Sequence, residues 1–138
     1  MASYELCVEP LVSEIPRLID WVEASCGAEG LADHVSFRVA LALEEAVMNV
    51  INHAFAGIPP PHRISIRLDI TTRLFAAEII DNGRPFDPTS AAAPDLSLPI
   101  EQRPPGGLGI HLMRSMMDRV QYRRRGGQNL LRLEKAAR

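Results

Sequence analysis

Polar side chains recur at one-turn intervals within the most apolar stretch of the chain. Glu45 and Asn49 are four residues apart, and His53 follows four residues later. Residues at this spacing share one face of a helix, about 6 Å apart along its axis. A carboxylate and an amide flanked by core residues need either solvent or a polar pocket. Alone, such a pair is more often structural or exposed, so its meaning depends on what accompanies it.

An Asp-Asn-Gly triplet, residues 81–83, ends an alternating apolar segment. Asn-Gly is typical of a tight hairpin turn. Here a proline-rich stretch follows the triplet instead of a returning strand. Phe75, Ala77, Ile79 and Asp81 share one face of the predicted strand, so the carboxylate points toward the core side at the end of an apolar row. A ligand-facing Asp81 is therefore favoured over a simple turn.

A glycine cluster, residues 106–109, stands directly before a predicted helix. Free backbone N–H groups and the positive end of the helix dipole favour phosphate at such a position, although loops often contain glycine for other reasons. Lys135 is the single lysine of the chain, so the phosphate lysine of P-loop proteins and the strand lysine of eukaryotic-type kinases are both missing. Any nucleotide would be bound without one.

Hydrophobic periodicity places these groups on a small α+β fold. Alternation predicts strands over 63–70 and 74–81, and helical spacing predicts a first helix packed through Leu11, Ile15, Leu18, Ile19 and Val22. The order of elements predicts a two-layer α/β sandwich whose sheet is antiparallel or mixed, mostly antiparallel, with helices on one face. The remaining predicted elements are a strand over 4–8, a helix over 31–56, a loop over 82–105 that is expected to be a functional lid, a helix from 106, and strands over 120–125 and 130–133. The helix over 31–56 is predicted to pack through a core stripe of Val39, Leu43, Ala46, Val47, Val50 and Ala54.

Length and composition indicate one domain spanning residues 1–138. The net charge of −2 favours neither nucleic acid nor an anionic membrane as a direct partner. We expect a cytoplasmic protein, because no signal-like start and no apolar run of about 18 residues is present. Cys7 and Cys26 are expected to be free thiols. The Arg123, Arg124, Arg125 run suggests a basic docking surface or, more commonly, a solvated strand face, and we favour the latter.

Taken in order, the three groups resemble the ATP-binding motifs of the GHKL superfamily, which includes gyrase, the ninety-kilodalton heat-shock chaperone, histidine kinases and MutL proteins. Residues 42–46, Asn49, residues 53–55 and residues 81–88 are most similar to the anti-sigma-factor serine kinases. The resemblance runs over residues 4–133. It implies a Bergerat-type ATP-binding fold, ATP and magnesium as cofactors, and a regulatory protein as partner.

The resemblance also implies a role for each matching residue. Glu45 would be the general base facing the attacking hydroxyl, and Asn49 would coordinate magnesium. Asp81 would accept a hydrogen bond from the adenine amine, with Gly83 letting the base approach the backbone. The remaining nucleotide-binding positions would be His53, Gly107, Leu108 and Gly109, and Arg17 would contact a partner protein. The two prolines before the glycine cluster depart from the pattern of some relatives and bear on the conformation of the lid.

Two functions of different class follow from the resemblance. In the first, the chain phosphorylates a serine or threonine of a STAS-type anti-anti-sigma protein and also sequesters a sigma factor. In the second, it is a nucleotide-dependent binding module without transfer, either an anti-sigma factor or a phosphatase adaptor. An excised histidine-kinase catalytic domain is disfavoured, because no helix with a phosphoacceptor histidine precedes the motifs. The sequence leaves open whether the chain forms a homodimer.

Overall fold

The described residues form five strands and three α-helices. The structure is a computed structural model that describes residues 2–90, 97, 99 and 107–138. The strands are β1 (Ala2–Val8), β2 (Ile64–Ile70), β3 (Leu74–Asp81), β4 (Arg119–Arg125) and β5 (Gln128–Ala136), and the helices are α1 (Ile15–Ala28), α2 (Asp33–Asn49) and α3 (Gly107–Met116). Short 3₁₀ turns over Val12–Glu14 and Pro88–Ser90 and a π-helical segment over Val50–Ala54 complete the described elements.

The strands form a single sheet in the order β1-β2-β3-β5-β4. Every neighbouring pair of described strands is antiparallel, so that, of the two predicted arrangements, antiparallel or mixed, the sheet has the antiparallel one. The predicted alternation of β2 is confirmed, because Ile64, Ile66, Leu68 and Ile70 are all buried. The strand β5 is longer than the predicted 130–133. Its register with β3 places Asn129 directly opposite Asp81. The predicted α+β class is confirmed.

The helices cover one face of this sheet and supply most of the remaining core. The predicted stripe on the second helix is buried throughout, at Val39, Leu43, Ala46, Val47, Val50 and Ala54. The prediction for Leu11 is wrong: its side chain is 54% exposed. The reason is that α1 begins only at Ile15, with a proline in its first turn, so that Leu11 precedes the helix.

The second helix also differs from the continuous helix predicted over 31–56. Its α-helical hydrogen bonding ends at Asn49, and the chain continues as a π-helix over Val50–Ala54 before Gly57 turns it with a φ of +74°. No glycine or proline marks the change, so the apolar periodicity does not reveal it. Single π-helical turns are frequent at functional sites.

The predicted lid over 82–105 is described only in its first part. Residues 84–90 lie against the rest of the domain and include the 3₁₀ turn Pro88–Ser90. Most of the lid, together with the first glycine of the 106–109 cluster, lies outside the described residues. Within the described part of the chain, no helix is both long enough and apolar enough to cross a membrane.

Candidate functional site

The end of α2 and its π-helical extension form one wall of a cleft of about 540 Å³. The start of α3 faces this wall, and the turn before α1 forms the rim. The cleft is lined by Val12, Ile15, Glu44, Glu45, Met48, Asn49, Asn52, His53 and Gly109. The 3.6-residue period therefore brings Glu45, Asn49 and His53 to a common opening, as their spacing predicts.

Glu45 packs directly against the backbone of α3. A Cβ atom at Gly109 would lie 2.4 Å from Oε2 of Glu45, so only glycine leaves room for the carboxylate there. Burial, and secondarily the negative charge of Glu44, raise the pKa of the Glu45 carboxyl above its ordinary value. The carboxylate lies against the first turn of α3, whose dipole favours negative charge there and so opposes the effect of burial.

Asn49 is a buried side chain whose amide nitrogen is unpaired within the ranges that the structure describes. The residue is only 7% exposed, and its Nδ2 atom has no hydrogen-bond partner among the described residues. Buried amides are nearly always satisfied, so an orphaned one in a cleft points to a ligand or ordered water that completes its bonding. Asn49 also lines a second, smaller pocket beside the cleft.

That smaller pocket contains Asp81 between mostly apolar walls. It is lined by Ala46, Asn49, Val50, Ile79, Asp81, Phe86, Pro88, Tyr122, Asn129 and Leu131. Asp81 is 3% exposed, and its Oδ1 atom accepts hydrogen bonds from the Gly83 N–H at 2.9 Å and from Asn129 Nδ2 at 2.8 Å. Burial raises the pKa of the Asp81 carboxyl, while these two bonds and the charge of Arg124 oppose the rise. The pocket is small, about 10 Å³, and combines one carboxylate with mostly apolar side chains.

The turn after Asp81 is held against the π-helical segment. A Cβ atom at Gly83 would lie 2.4 Å from the Ala54 carbonyl oxygen, so the two backbones touch. The same oxygen accepts the Arg84 N–H at 2.7 Å, and Arg84 Nε donates to the His53 carbonyl at 2.9 Å. The His53 ring stacks on Phe86, with centroids 5.1 Å apart. The first residues of the predicted lid are therefore tied to the helix that carries Glu45 and Asn49.

The structure thus brings most of the predicted site residues together. Gly107 and Leu108 begin α3, which places the glycine cluster at a helix N-terminus as predicted. Arg17 lies outside the Glu45 cleft: its Nη2 atom donates to the Cys7 carbonyl at 2.7 Å and pairs with Glu14 at 2.9 Å. These contacts fix its guanidinium between β1 and α1.

Comparison with known proteins agrees with this geometry. Residues 8–135 match the model of the histidine kinase-like ATPase domain. The chain belongs to this family. The resemblance found in the motifs is therefore confirmed, and with it an ATP-binding fold.

Curated relatives lie in the serine kinase branch of the histidine kinase-like ATPases. The chain is 36% identical over 115 residues to the serine/threonine-protein kinase BtrW of Bordetella bronchiseptica, a match that covers 82% of this chain and 79% of BtrW. It is 29% identical over 112 residues to the serine-protein kinase RsbW of Bacillus cereus, covering 74% and 69% of the two chains.

Solved structures share the fold of this histidine kinase-like ATPase at low sequence identity. The RsbU and RsbW domains of Rv1364c from Mycobacterium tuberculosis match with a TM-score of 0.68 at 11% identity, covering 98% of this chain and 32% of that one. The histidine kinase domain of Erythrobacter litoralis EL346 matches with a TM-score of 0.57 at 15% identity, covering 89% and 59%.

Two described residues beside the candidate site are not identified by the sequence. Arg124, predicted to lie on a solvated strand face, extends its Nη1 atom to the Gly83 carbonyl at 2.7 Å. Asn129 is 3% exposed and contacts Asp81. Strand alternation is the signal that could have found both: Asn129 is in register with the inward-facing Leu131 and Leu133, and Arg124 is its cross-strand partner.

Proposed function

We propose that this chain is an ATP-dependent serine/threonine protein kinase that phosphorylates a STAS-type anti-anti-sigma protein. The observation that carries the proposal is the placement of Glu45 and Asn49 in one cleft, with Glu45 against the first turn of α3. The names of the BtrW and RsbW relatives support the kinase activity. The proposal places the chain in the cytoplasm, where it would also bind a sigma factor.

Glu45 has the properties of a general base. Its pKa is raised by burial, and a base works best when its pKa approaches the ambient pH. Its carboxylate lies one helical turn from Asn49 and opens toward the cleft rim, from which a protein hydroxyl can enter. A nucleotide-binding module without transfer would not require this carboxylate, which is why we favour the kinase over the binding module.

The nucleotide would occupy the cleft and the smaller pocket, both of which Asn49 lines. Because the smaller pocket measures about 10 Å³, Phe86 and Pro88 on its wall would have to move to admit the base. Asp81 would accept the adenine amine in the apolar slot, and Gly83 keeps the backbone close to the ring because a side chain there meets Ala54. The helix α3 begins with Gly107, Leu108 and Gly109, and their backbone N–H groups would donate to phosphate oxygens. His53 lines the phosphate side of the cleft.

Asn49 fits the magnesium ion that accompanies ATP. Its amide oxygen is a ligand that Mg²⁺ accepts, and its Nδ2 donor, which has no partner among the described residues, would meet a phosphate oxygen. Bound magnesium would neutralise phosphate charge during transfer. Asn49 would hold it beside the base, so that one residue joins both halves of the site.

The acceptor protein would dock on the rim of the Glu45 cleft. Leu11 and Val12 are 54% and 59% exposed, and Val12 lines the cleft itself. Exposed apolar side chains beside a functional cleft are typical of a contact surface for another protein. We place Arg17, one helical turn beyond the 3₁₀ segment, at the margin of the same surface.

The decisive experiment compares Glu45→Gln with Asn49→Ala in binding and in transfer. Glu45→Gln keeps the shape of the side chain against Gly109, so we expect ADP affinity that is not reduced and phosphate transfer to a STAS protein lowered by roughly 10²–10⁴-fold. Asn49→Ala should reduce both magnesium-dependent affinity and transfer. Titration calorimetry and transfer of labelled phosphate separate the two effects.

Glu23→Gln on α1 is the matched control, because the same charge is removed outside the cleft. It should leave both measurements unchanged. The kinase proposal fails if the wild-type chain labels no STAS protein from its own organism. It also fails if Glu45→Gln transfers phosphate at the wild-type rate. A chain that binds ADP and releases a partner without transfer would instead be the binding module.

A further inference from the structure

The helix α2 carries a line of mostly apolar side chains that runs along its solvent face toward the Glu45 cleft. Phe37 is 65% exposed, the largest exposed fraction of any large apolar side chain among the described residues. Leu41, Glu44 and Met48 follow it at helical spacing and are half-buried. At about 100° per residue, these four side chains lie within about 60° of one another on the helix surface. We call them the α2 stripe.

The α2 stripe ends in the cleft itself. Glu44 and Met48, its last two members, line the cleft together with Val12 and the proposed base Glu45. The helix contacts both α1 and α3, and the face opposite the stripe is buried in the core. The stripe is therefore the part of α2 that neither the core nor the two neighbouring helices cover.

Phe37 has no explanation within the helix. In an exposed helical position, phenylalanine favours the helix less than alanine, leucine or lysine does. Single exposed apolar side chains are common on protein surfaces. Among the described residues, however, the exposed large apolar side chains are Leu11, Val12 and Phe37, and both Val12 and the α2 stripe border the same cleft. Apolar groups gathered around one opening are typical of a surface that another protein covers.

The size of an ordinary protein interface indicates which protein covers it. In the proposed kinase the acceptor hydroxyl must reach Glu45, so a folded acceptor also covers the surface around that carboxylate. A typical interface buries about 800 Å² on each partner, which corresponds to a disc of about 16 Å radius. Phe37 precedes Glu45 by eight residues of α2, about 12 Å along the helix axis. Phe37 lies inside such a disc centred on Glu45.

We propose that Phe37 is an anchor for the acceptor protein, which packs along the α2 stripe while its hydroxyl enters the cleft. The inference rests on the proposed kinase function and names the surface through which that kinase holds its substrate. The matching surface of the STAS-type acceptor has an apolar pocket or side chain for Phe37 and Leu41 and a basic group for Glu44.

Phe37→Ala tests the anchor without disturbing the fold, because the position is exposed and alanine is the best helix former. The substrate is a STAS-type protein of the same organism that the wild type phosphorylates. We expect the KM for this acceptor to rise at least about tenfold, while kcat at saturating acceptor, ADP affinity and the free energy of unfolding keep their wild-type values. Phe37→Leu, which remains apolar, should recover most of the loss.

Leu130→Ala is the control, because it shortens a half-buried apolar side chain on the face of the sheet that the helices leave uncovered. A wild-type KM in Phe37→Ala, or an equal rise in Leu130→Ala, overturns the inference and leaves the kinase proposal intact. If Phe37→Ala changes the oligomeric state in sedimentation while KM is unaltered, a second copy of the chain covers the stripe, and the inference is wrong. A wild type that labels no STAS protein contradicts the proposed function itself.

Discussion

The contact between Gly83 and Ala54 makes Gly83→Ala the most informative single substitution. The added Cβ atom would lie 2.4 Å from the Ala54 carbonyl oxygen, 2.7 Å from its carbon and 2.8 Å from its Cβ atom. Ordinary contacts of a Cβ atom begin near 3.4 Å, so the two backbones must separate by about 1 Å. The atoms in the way belong to the main chain and to a Cβ atom, and no rotamer change can relieve the clash.

The cost follows from what that movement breaks. Forcing a methyl group into a packed site costs about 1–3 kcal/mol. The Arg84 N–H bond to the same Ala54 oxygen, 2.7 Å long, would be stretched, which adds roughly 0.5–1.5 kcal/mol. We therefore expect Gly83→Ala to lower the free energy of unfolding by about 2–4 kcal/mol. Because the Gly83 N–H also bonds Asp81, ADP affinity should fall by at least about tenfold.

Urea unfolding and ADP titration measure both effects. Gly27→Ala is the matched control: the glycine lies in α1, and nothing stands within 4 Å of its added Cβ atom. In a helix this exchange is expected to stabilise, by up to about 1 kcal/mol. Wild-type stability together with wild-type ADP affinity in Gly83→Ala would refute the locked contact between the turn and the π-helical segment.

Three further predictions concern single groups. Glu45→Gln should stabilise the ligand-free protein at neutral pH, because burial raises the pKa of the Glu45 carboxyl above the ordinary 4.5 and the folded state therefore disfavours the ionised form. The gain in the free energy of unfolding, measured in urea, should shrink as pH falls toward 4, where the wild-type carboxyl is protonated. A gain that does not depend on pH would contradict this cause. Gly109→Ala should displace the flexible Glu45 carboxylate, so that transfer falls while stability changes by less than about 1 kcal/mol; unimpaired transfer would count against the contact. Asp118 accepts the Ala136 N–H at 2.7 Å, and this bond holds the pKa of the Asp118 carboxyl below the ordinary 3.8. Asp118→Asn should therefore lower the free energy of unfolding above pH 3.8, and the two proteins should become equally stable as pH falls below that value. A difference in stability that stays constant with pH would exclude the charge as its cause.

The periodicity of the sequence predicts which face of a strand or helix is buried, because that depends on residues close together in the chain. The alternation of β2 and the stripe of α2 are buried as expected, because both patterns reflect one solvent boundary. The π-helical segment after Asn49 is not predictable in this way. It is tied down by contacts from Gly83 and Arg84, some 30 residues further on, and no local propensity records such contacts.

The same distinction explains which site residues the sequence identified. Glu45, Asn49 and Asp81 belong to short motifs whose spacing is local. Asn129 acts through a cross-strand pairing with Asp81, 48 positions earlier in the chain. The sequence shows that Asn129 is a polar residue among the inward-facing residues of a strand. It does not show the partner of Asn129, because that depends on β5 lying next to β3 in the sheet.

The polar groups of the site share one energetic property: burial penalises each of them in the ligand-free fold. Asn49 has a buried N–H donor with no partner in the described part of the chain, and burial raises the pKa of both the Glu45 and the Asp81 carboxyl. Their concentration in two adjoining pockets has no structural benefit that the fold itself explains. A ligand with an amine for Asp81 and an acceptor oxygen for the Asn49 N–H would compensate two of these costs upon binding. By mass action, nucleotide should then raise the stability of this domain by an amount set by its affinity, and the rise should be smaller in Asn49→Ala than in the wild type.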